Sequence, residues 1–198
     1  LSPPRPNAKN RAMTKKTPKK GPRKLQIPAG DDKERLTCPD CDYIAYDNPK
    51  PIVGAVVTYK GKILLCRRAI PPRVGYWTIP AGHMENNESM EDGAKRETRE
   101  EACAEIEIDN LLAIYDLPQS SQIHMMFRAE MTSPHHAAGP ESLEVKLFDW
   151  HDIPCRDLAF PTTHKILQAY FRTKDQKTIN PERETLPPMP KAPKPPGP

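Results

Sequence analysis

Long apolar runs are missing from this 198-residue chain. No stretch approaches the ~18 consecutive apolar residues of a membrane-spanning helix, which excludes a helical span. Apolar residues are scarce throughout, at 36%, against roughly 45–50% in ordinary globular chains. Glycine is sparse, and the nine present show no period of three, which excludes a collagen-type helix. Cysteine is sparse too. Cys38, Cys41, Cys66, Cys103 and Cys155 make an odd set without an apolar leader, unlike a secreted disulfide scaffold. A reducing compartment is the expectation. Acidic residues are absent from Leu1 to Pro28, which hold nine Lys or Arg. The overall charge of +4 therefore leaves −5 for the rest of the chain. The basic character belongs to one arm, so a nucleic-acid-binding module is disfavoured for the body as a whole.

Proline is what the chain has in excess, with 25 residues, about 13% against an average near ~5%. Leu1 to about Gly30 reads as an extended Pro/Lys/Arg arm. Such acid-free starts also occur in organelle transit peptides, and a chain starting at Leu fits processing or an internal start. Thr185 to Pro198 reads as a polyproline-type tail. Between them the pattern becomes globular. Ile52 to Val57 is a β-branched run, Lys60-Gly61-Lys62 a turn, and Ile63 to Cys66 a second strand, together a hairpin. Tyr76 to Ile79, Ile106 to Tyr115, Ile123 to Ala129 and Val145 to Phe148 predict further strands. Ser89 is placed to cap a helix running to Cys103, and Pro161 to Phe171 has helical spacing at Ile166, Leu167, Tyr170 and Phe171. Strands mixed with helices over some 120 residues predict an α/β sandwich.

The segment Gly82 to Ala104, GHMENNESMEDGAKRETREEACA, carries the chemistry. Glu97, Glu100 and Glu101 stand at i, i+3 and i+4, which puts three carboxylates on one helix face. A lone Glu-rich face is usually solvated. Clustered, these groups repel unless a cation sits among them, and hard divalent ions with oxygen ligands suit them. Arg96 lies beside the cluster and Glu88 eight residues before it, a spacing that lets the pair brace the preceding loop. Gly82 permits a backbone conformation in which its carbonyl joins the metal shell.

This segment resembles the Nudix box, G-x5-E-x7-R-E-U-x-E-E-x-G-U, with U a bulky aliphatic. Gly82, Glu88, Arg96, Glu97, Glu100 and Glu101 all fall in place. At ~6% usage per residue type, such a match arises by chance on the order of 10⁻⁷ at any one starting position and on the order of 10⁻⁴ somewhere in the chain. Thr98, Cys103 and Ala104 depart from the pattern, Cys103 standing where the motif has glycine. The resemblance runs from about Thr37 to Phe171, through CPDCDYIAYDNPKPIVGAVV, LLCRRAIPP, GYWTIPAGHME, GPESLEVKLFDWHDIP and DLAF. It is to Nudix hydrolases with a small zinc ribbon, in particular the plant chloroplast FAD pyrophosphatase group. The resemblance implies an α/β/α Nudix sandwich with a mixed sheet, dependence on Mg²⁺ or Mn²⁺, and a dinucleotide substrate such as FAD or ADP-ribose. Pro118, fifteen residues after Cys103, is similar to the proline that marks ADP-ribose-type enzymes, and the NADH-pyrophosphatase motif SQPWPFPxS is absent.

Carried over residue by residue, Glu97, Glu100, Glu101 and the Gly82 carbonyl would hold metal. Glu100, Glu101, or Glu141 or Glu144 of the GPESLE loop, would be the catalytic base. Glu88 and Arg96 would be structural support. Glu85, Tyr76 and Trp77 would line the substrate site, with core packing the competing role for both rings. The family's zinc site needs two Cys-x-x-Cys pairs. Only Cys38 and Cys41 are present, so a complete zinc site within the chain is not expected. The implied division is a basic arm over 1–35, a degenerate zinc-ribbon remnant over 36–49, a Nudix domain over 50–173 and a Pro-rich tail over 174–198. An alternative is a structural subunit of a large organellar assembly, ribosomal or respiratory, whose two arms bind partner subunits or RNA. Both readings place the chain in the mitochondrial matrix or the chloroplast stroma.

Overall fold

The computed structural model describes residues 21–188. The expected partner-binding arms lie largely outside those residues. The described residues divide into two compact units, the first ending at Asn48 and the second beginning at Pro49.

In the first unit, β1 (Lys24–Gln26), β2 (Arg35–Thr37) and β3 (Ile44–Ala45) form an antiparallel sheet in that order. The knuckle between β2 and β3 is closed by its own backbone. Cys41 and Asp42 both donate their N–H to the Cys38 carbonyl, at 3.3 and 2.8 Å. Asp42 takes a positive φ of 56° there, which Asp tolerates better than most residues. The Arg23 guanidinium forks onto the Asp40 carboxylate at 2.6 and 2.7 Å. The sheet thus begins inside the stretch assigned to the arm. Pairing with β2 makes Lys24–Gln26 a strand, and a Lys/Pro composition does not reveal that pairing.

The second unit is built on a sheet of eight strands. In chain order these are β4 (Lys50–Tyr59), β5 (Lys62–Arg68), β6 (Trp77–Thr78), β7 (Ala81–His83), β8 (Ile106–Leu117), β9 (Gln122–Met131), β10 (Ser142–Phe148) and β11 (Glu182–Thr185). Helix α1 (Met90–Ala102) follows β7, and α2 (Pro161–Thr173) precedes β11. The main path is β10-β5-β4-β9-β8-β11, with β6 beside β5 and β7 beside β4. Pairings β4–β9 and β8–β11 are parallel and the others antiparallel, so the sheet is mixed.

Strand β4 is buried along Ile52–Val57, as a continuous apolar run predicts for a strand covered on both faces. Its residues alternate between two cores. Ile52 and Val56 pack with Ile166, Leu167 and Ala169 of α2. Ala55 and Val57 pack with Ala94 and Ala102 of α1. The expected α/β/α sandwich is therefore the observed one. The β4–β5 hairpin pairs only at Thr58–Ile63 and Tyr59–Lys62, and β7 takes over beside β4 as far as Ile52. That exchange brings the start of the acidic segment onto the middle of the sheet.

Strand β11 corrects the reading of 174–198 as tail alone. Its sequence, Glu-Arg-Glu-Thr, has no apolar face. It is held by parallel pairing with β8, by the Tyr115 hydroxyl donating to Glu182 at 2.7 Å, and by ion pairs Arg172–Glu182 and Lys165–Glu184.

Candidate active site

Strand β7 delivers the chain to a turn, and the turn delivers it to α1. Ser89 caps that helix, accepting the Asp92 N–H at 3.1 Å. Glu88, just before the cap, accepts the Glu85 N–H at 2.7 Å and both Arg96 Nε and Nη2 at 2.9 Å. These bonds, the Arg96 ones foremost, hold its carboxyl down at about 2. Arg96 also donates to the His83 carbonyl at 3.0 Å. One guanidinium thus ties the end of β7, the turn and the helix together.

Its remaining nitrogen faces the acidic cluster. Arg96 Nη1 donates to Glu97 at 2.8 Å and to Glu100 at 3.0 Å. Glu97 and Glu101 are buried, at 8% and 5% exposure, whereas the Glu100 side chain is 57% exposed. Burial pushes the Glu101 carboxyl up to about 8, even though it accepts the Ala81 N–H at 3.3 Å. Burial pushes Glu97 up too, against the pull of Arg96. Gly82 serves this cluster by space and not by an unusual φ, which corrects the sequence reading. A Cβ there would lie 2.3 Å from Glu97 Oε2, so only glycine lets the carboxylate rest on the backbone of β7.

The other predicted residues separate into two groups. Glu141 joins the site: its charge acts on both Glu97 and Glu101. Glu144 does not, because it faces Arg67 at 3.5 Å, beyond an irregularity in the β10–β5 register. Glu85 is exposed on the turn. Trp77 is a packing residue, edge-on to Phe148 at 4.9 Å against the α2-side core. Tyr76 is buried with the Arg73 guanidinium 5.0 Å over its ring. Arg68, unassigned at the level of sequence, is drawn in. Its charge pulls on Glu101, its Nε donates to the Pro72 carbonyl at 2.8 Å, and its guanidinium lies 5.3 Å over the Phe160 ring. The segment LLCRRAIPP held that signal, but strand pairing and the fold of its loop decide which arginine turns inward.

A hard divalent cation fits the donor chemistry. Glu97, Glu100, Glu101 and Glu141 offer oxygen only. Two of the four are buried carboxyls pushed up by their surroundings, and a cation relieves that crowding. As they stand, no three acidic, His or Cys side chains among the described residues converge on one point, and Arg96 occupies Glu97 and Glu100. Zinc does not fit the first unit. Cys38 and Cys41 are the only cysteines before Cys66, and no histidine precedes His83.

The helix ends at Cys103, whose φ of 49° and ψ of 32° are left-handed. This is the αL cap that the motif's glycine serves. Thr98 and Ala104, the other departures, are buried, and Thr98 donates back to the Ala94 carbonyl at 2.8 Å.

Comparison with known proteins agrees with this geometry. The NUDIX domain model matches residues 48–182, and the zinc-ribbon model described as Nudix N-terminal matches residues 20–47. An ADP-ribose pyrophosphatase of Methanocaldococcus jannaschii is 29% identical over 137 residues, 67% of this chain and 79% of that protein. A NAD-capped RNA hydrolase NudC of Pseudomonas putida is 32% identical over 122 residues, 60% of this chain but only 43% of that protein. The crystal structure of a NUDIX hydrolase from Nitrosomonas europaea superimposes with a TM-score of 0.76 at 46% identity, covering 82% of this chain and 92% of that one. The chain belongs to the Nudix hydrolase family, with a ribbon that keeps two of the four cysteines a zinc site requires.

Proposed function

We propose that the chain hydrolyses the pyrophosphate of ADP-ribose or of a NAD-like dinucleotide, using Mg²⁺ or Mn²⁺. The observation that carries this reading is the pair of buried carboxyls, Glu97 and Glu101, set on the backbone of β7, with Arg96 paired to Glu97 and the Arg68 charge acting on Glu101. Such a site has a surplus of negative charge that a divalent cation resolves, and the bound cation would in turn hold the phosphate oxygens of a substrate. The substrate class follows the named relatives, an ADP-ribose pyrophosphatase and a hydrolase of NAD-capped RNA. FAD shares the ADP half and is the next substrate to compare. Neither the relatives nor the fold support the organellar-assembly alternative.

Glu97, Glu100, Glu101 and the Gly82 carbonyl would hold the cation. Bound there, it would neutralise phosphate oxygens and lower the pKa of a water. The chain's own groups do the rest. Glu141, exposed beside the cluster, takes the proton of the attacking water. It is the better placed of the two loop carboxylates, because Glu144 is engaged by Arg67. Arg68 puts positive charge beside Glu101, where incoming phosphate oxygens gain from it. Arg96 and Glu88 keep the turn and helix in register, so that the acids do not have to be reorganised on binding.

The test is a substrate panel of ADP-ribose, NADH and FAD with Mg²⁺. Release of AMP and ribose 5-phosphate from ADP-ribose, abolished by chelator, supports the reading. A folded protein that cleaves none of the three contradicts it.

A further inference from the structure

The loop between β9 and β10 does more than carry Glu141. It grips the end of the catalytic helix. The last carbonyls of a helix have no partners within it, and in α1 the loop supplies them. Gly139 donates its N–H to the Glu101 carbonyl at 3.1 Å, and Ala137 donates to the Ala102 carbonyl at 2.9 Å. The bonded helical residue, Glu101, is itself one of the buried acids. The contact at Gly139 is close. A Cβ built there would lie 1.7 Å from the Glu100 carbonyl oxygen and 2.8 Å from its carbon. That obstacle is helix backbone, which cannot rotate away as a side chain can. Gly139 is buried, and its φ is not in the left-handed region, so closeness and not conformation demands glycine.

Two residues on, Glu141 is held from the other side. Its carbonyl accepts the Ala69 N–H at 2.8 Å, and the Ser142 N–H returns to the Gly139 carbonyl at 3.0 Å. Pro140 fixes φ at the step between them. Glu141 is thus clamped between the end of α1 and the end of β5, the elements that carry Glu101 and Arg68.

We infer that Gly139 is a positioning residue: its backbone contact with α1 sets the distance between the Glu141 carboxylate and the acids of that helix. This rests on the reading of Glu141 as the base of the proposed pyrophosphatase. A substitution at Gly139 lifts the loop by at least the ångström or so a Cβ needs, and a displacement of that size costs on the order of 10²-fold in rate.

The test is a double-mutant cycle on the full chain, with ADP-ribose and Mg²⁺. Glu141→Gln, Gly139→Ala and the double variant are compared by kcat and KM. Hydrogen exchange is followed at the amides of residues 137 and 139. Gly139→Ala is expected to lower kcat at least tenfold, to leave KM within about twofold, and to speed exchange at both amides. In the Glu141→Gln background the same change is expected to cost less than twofold further. If Gly139→Ala does not fold, Pro140→Gly loosens the same link without a clash, and the same pattern is expected at smaller size. Multiplicative losses in the double variant, or an unchanged kcat for the single one, overturn the inference. Full activity of Glu141→Gln removes the base assignment and this inference together, while the substrate reading stands. A wild-type chain that is inactive on ADP-ribose sinks the substrate reading and this inference with it.

Discussion

Cys103 sits in a left-handed cap where a side chain costs about 1 kcal/mol. Cys103→Gly is therefore expected to stabilise the chain by about that amount, measured by denaturant unfolding, with catalysis unaffected. A destabilised variant would mean that the Cβ and sulfur are held by packing. His124 lies on β9. Its Nε2 meets Gln122 Oε1 at 3.2 Å, but its buried Nδ1 has no partner. Burial, with a smaller push from His83, holds it down at about 4. Below its ordinary value of 6.5 the unfolded chain takes up a proton that the folded chain does not. Stability is then full above pH 6.5 and declines towards pH 4, by up to about 3 kcal/mol. His124→Gln should flatten that limb in chemical denaturation across this pH range, and an unaltered acid limb would assign it to other groups.

Among the elements, α1 and its turn were legible because the constellation is contiguous. Gly82, Glu88, Arg96, Glu97, Glu100 and Glu101 lie within one short strand, the turn after it and one helix, so spacing alone put them together. The apolar runs of β4, β5, β8 and β9 were legible for the same local reason. What escaped was decided by pairing between distant segments. Three-residue β7 has no pattern of its own, and β11 is polar and held by β8 and α2. Arg68 and Gly139 matter only because of what the fold brings against them. Arg128 shows the same dependence. It is buried at 7% exposure on β9, pairs with Asp109 of β8, and donates to the carbonyls of Thr173 and Gln176 at 2.7 and 2.8 Å. It ties the sheet to the end of α2. Arg128→Met strands those carbonyls and is expected to cost about 3 kcal/mol, read from denaturant midpoints. A loss under ~1 kcal/mol would show that water replaces the guanidinium.

At the scale of the whole molecule, the chain joins a Nudix domain to a ribbon without a complete cysteine set. Modules below about 40 residues usually depend on metals, disulfides or association. Here the knuckle closes on its own backbone and on the Arg23–Asp40 fork. Metal analysis of purified protein is expected to give well under one zinc per chain, with a melting curve indifferent to a zinc-selective chelator. Stoichiometric zinc would overturn that expectation.

The role proposed for the buried acids on α1 is pyrophosphate hydrolysis. The most direct measurement is the rate of ADP-ribose cleavage to AMP and ribose 5-phosphate in Mg²⁺, for the wild type beside Glu101→Gln. Turnover is expected in the wild type and a loss of about 10²–10⁴-fold in the variant, with the fold intact by circular dichroism. Equal rates in the two proteins would contradict it.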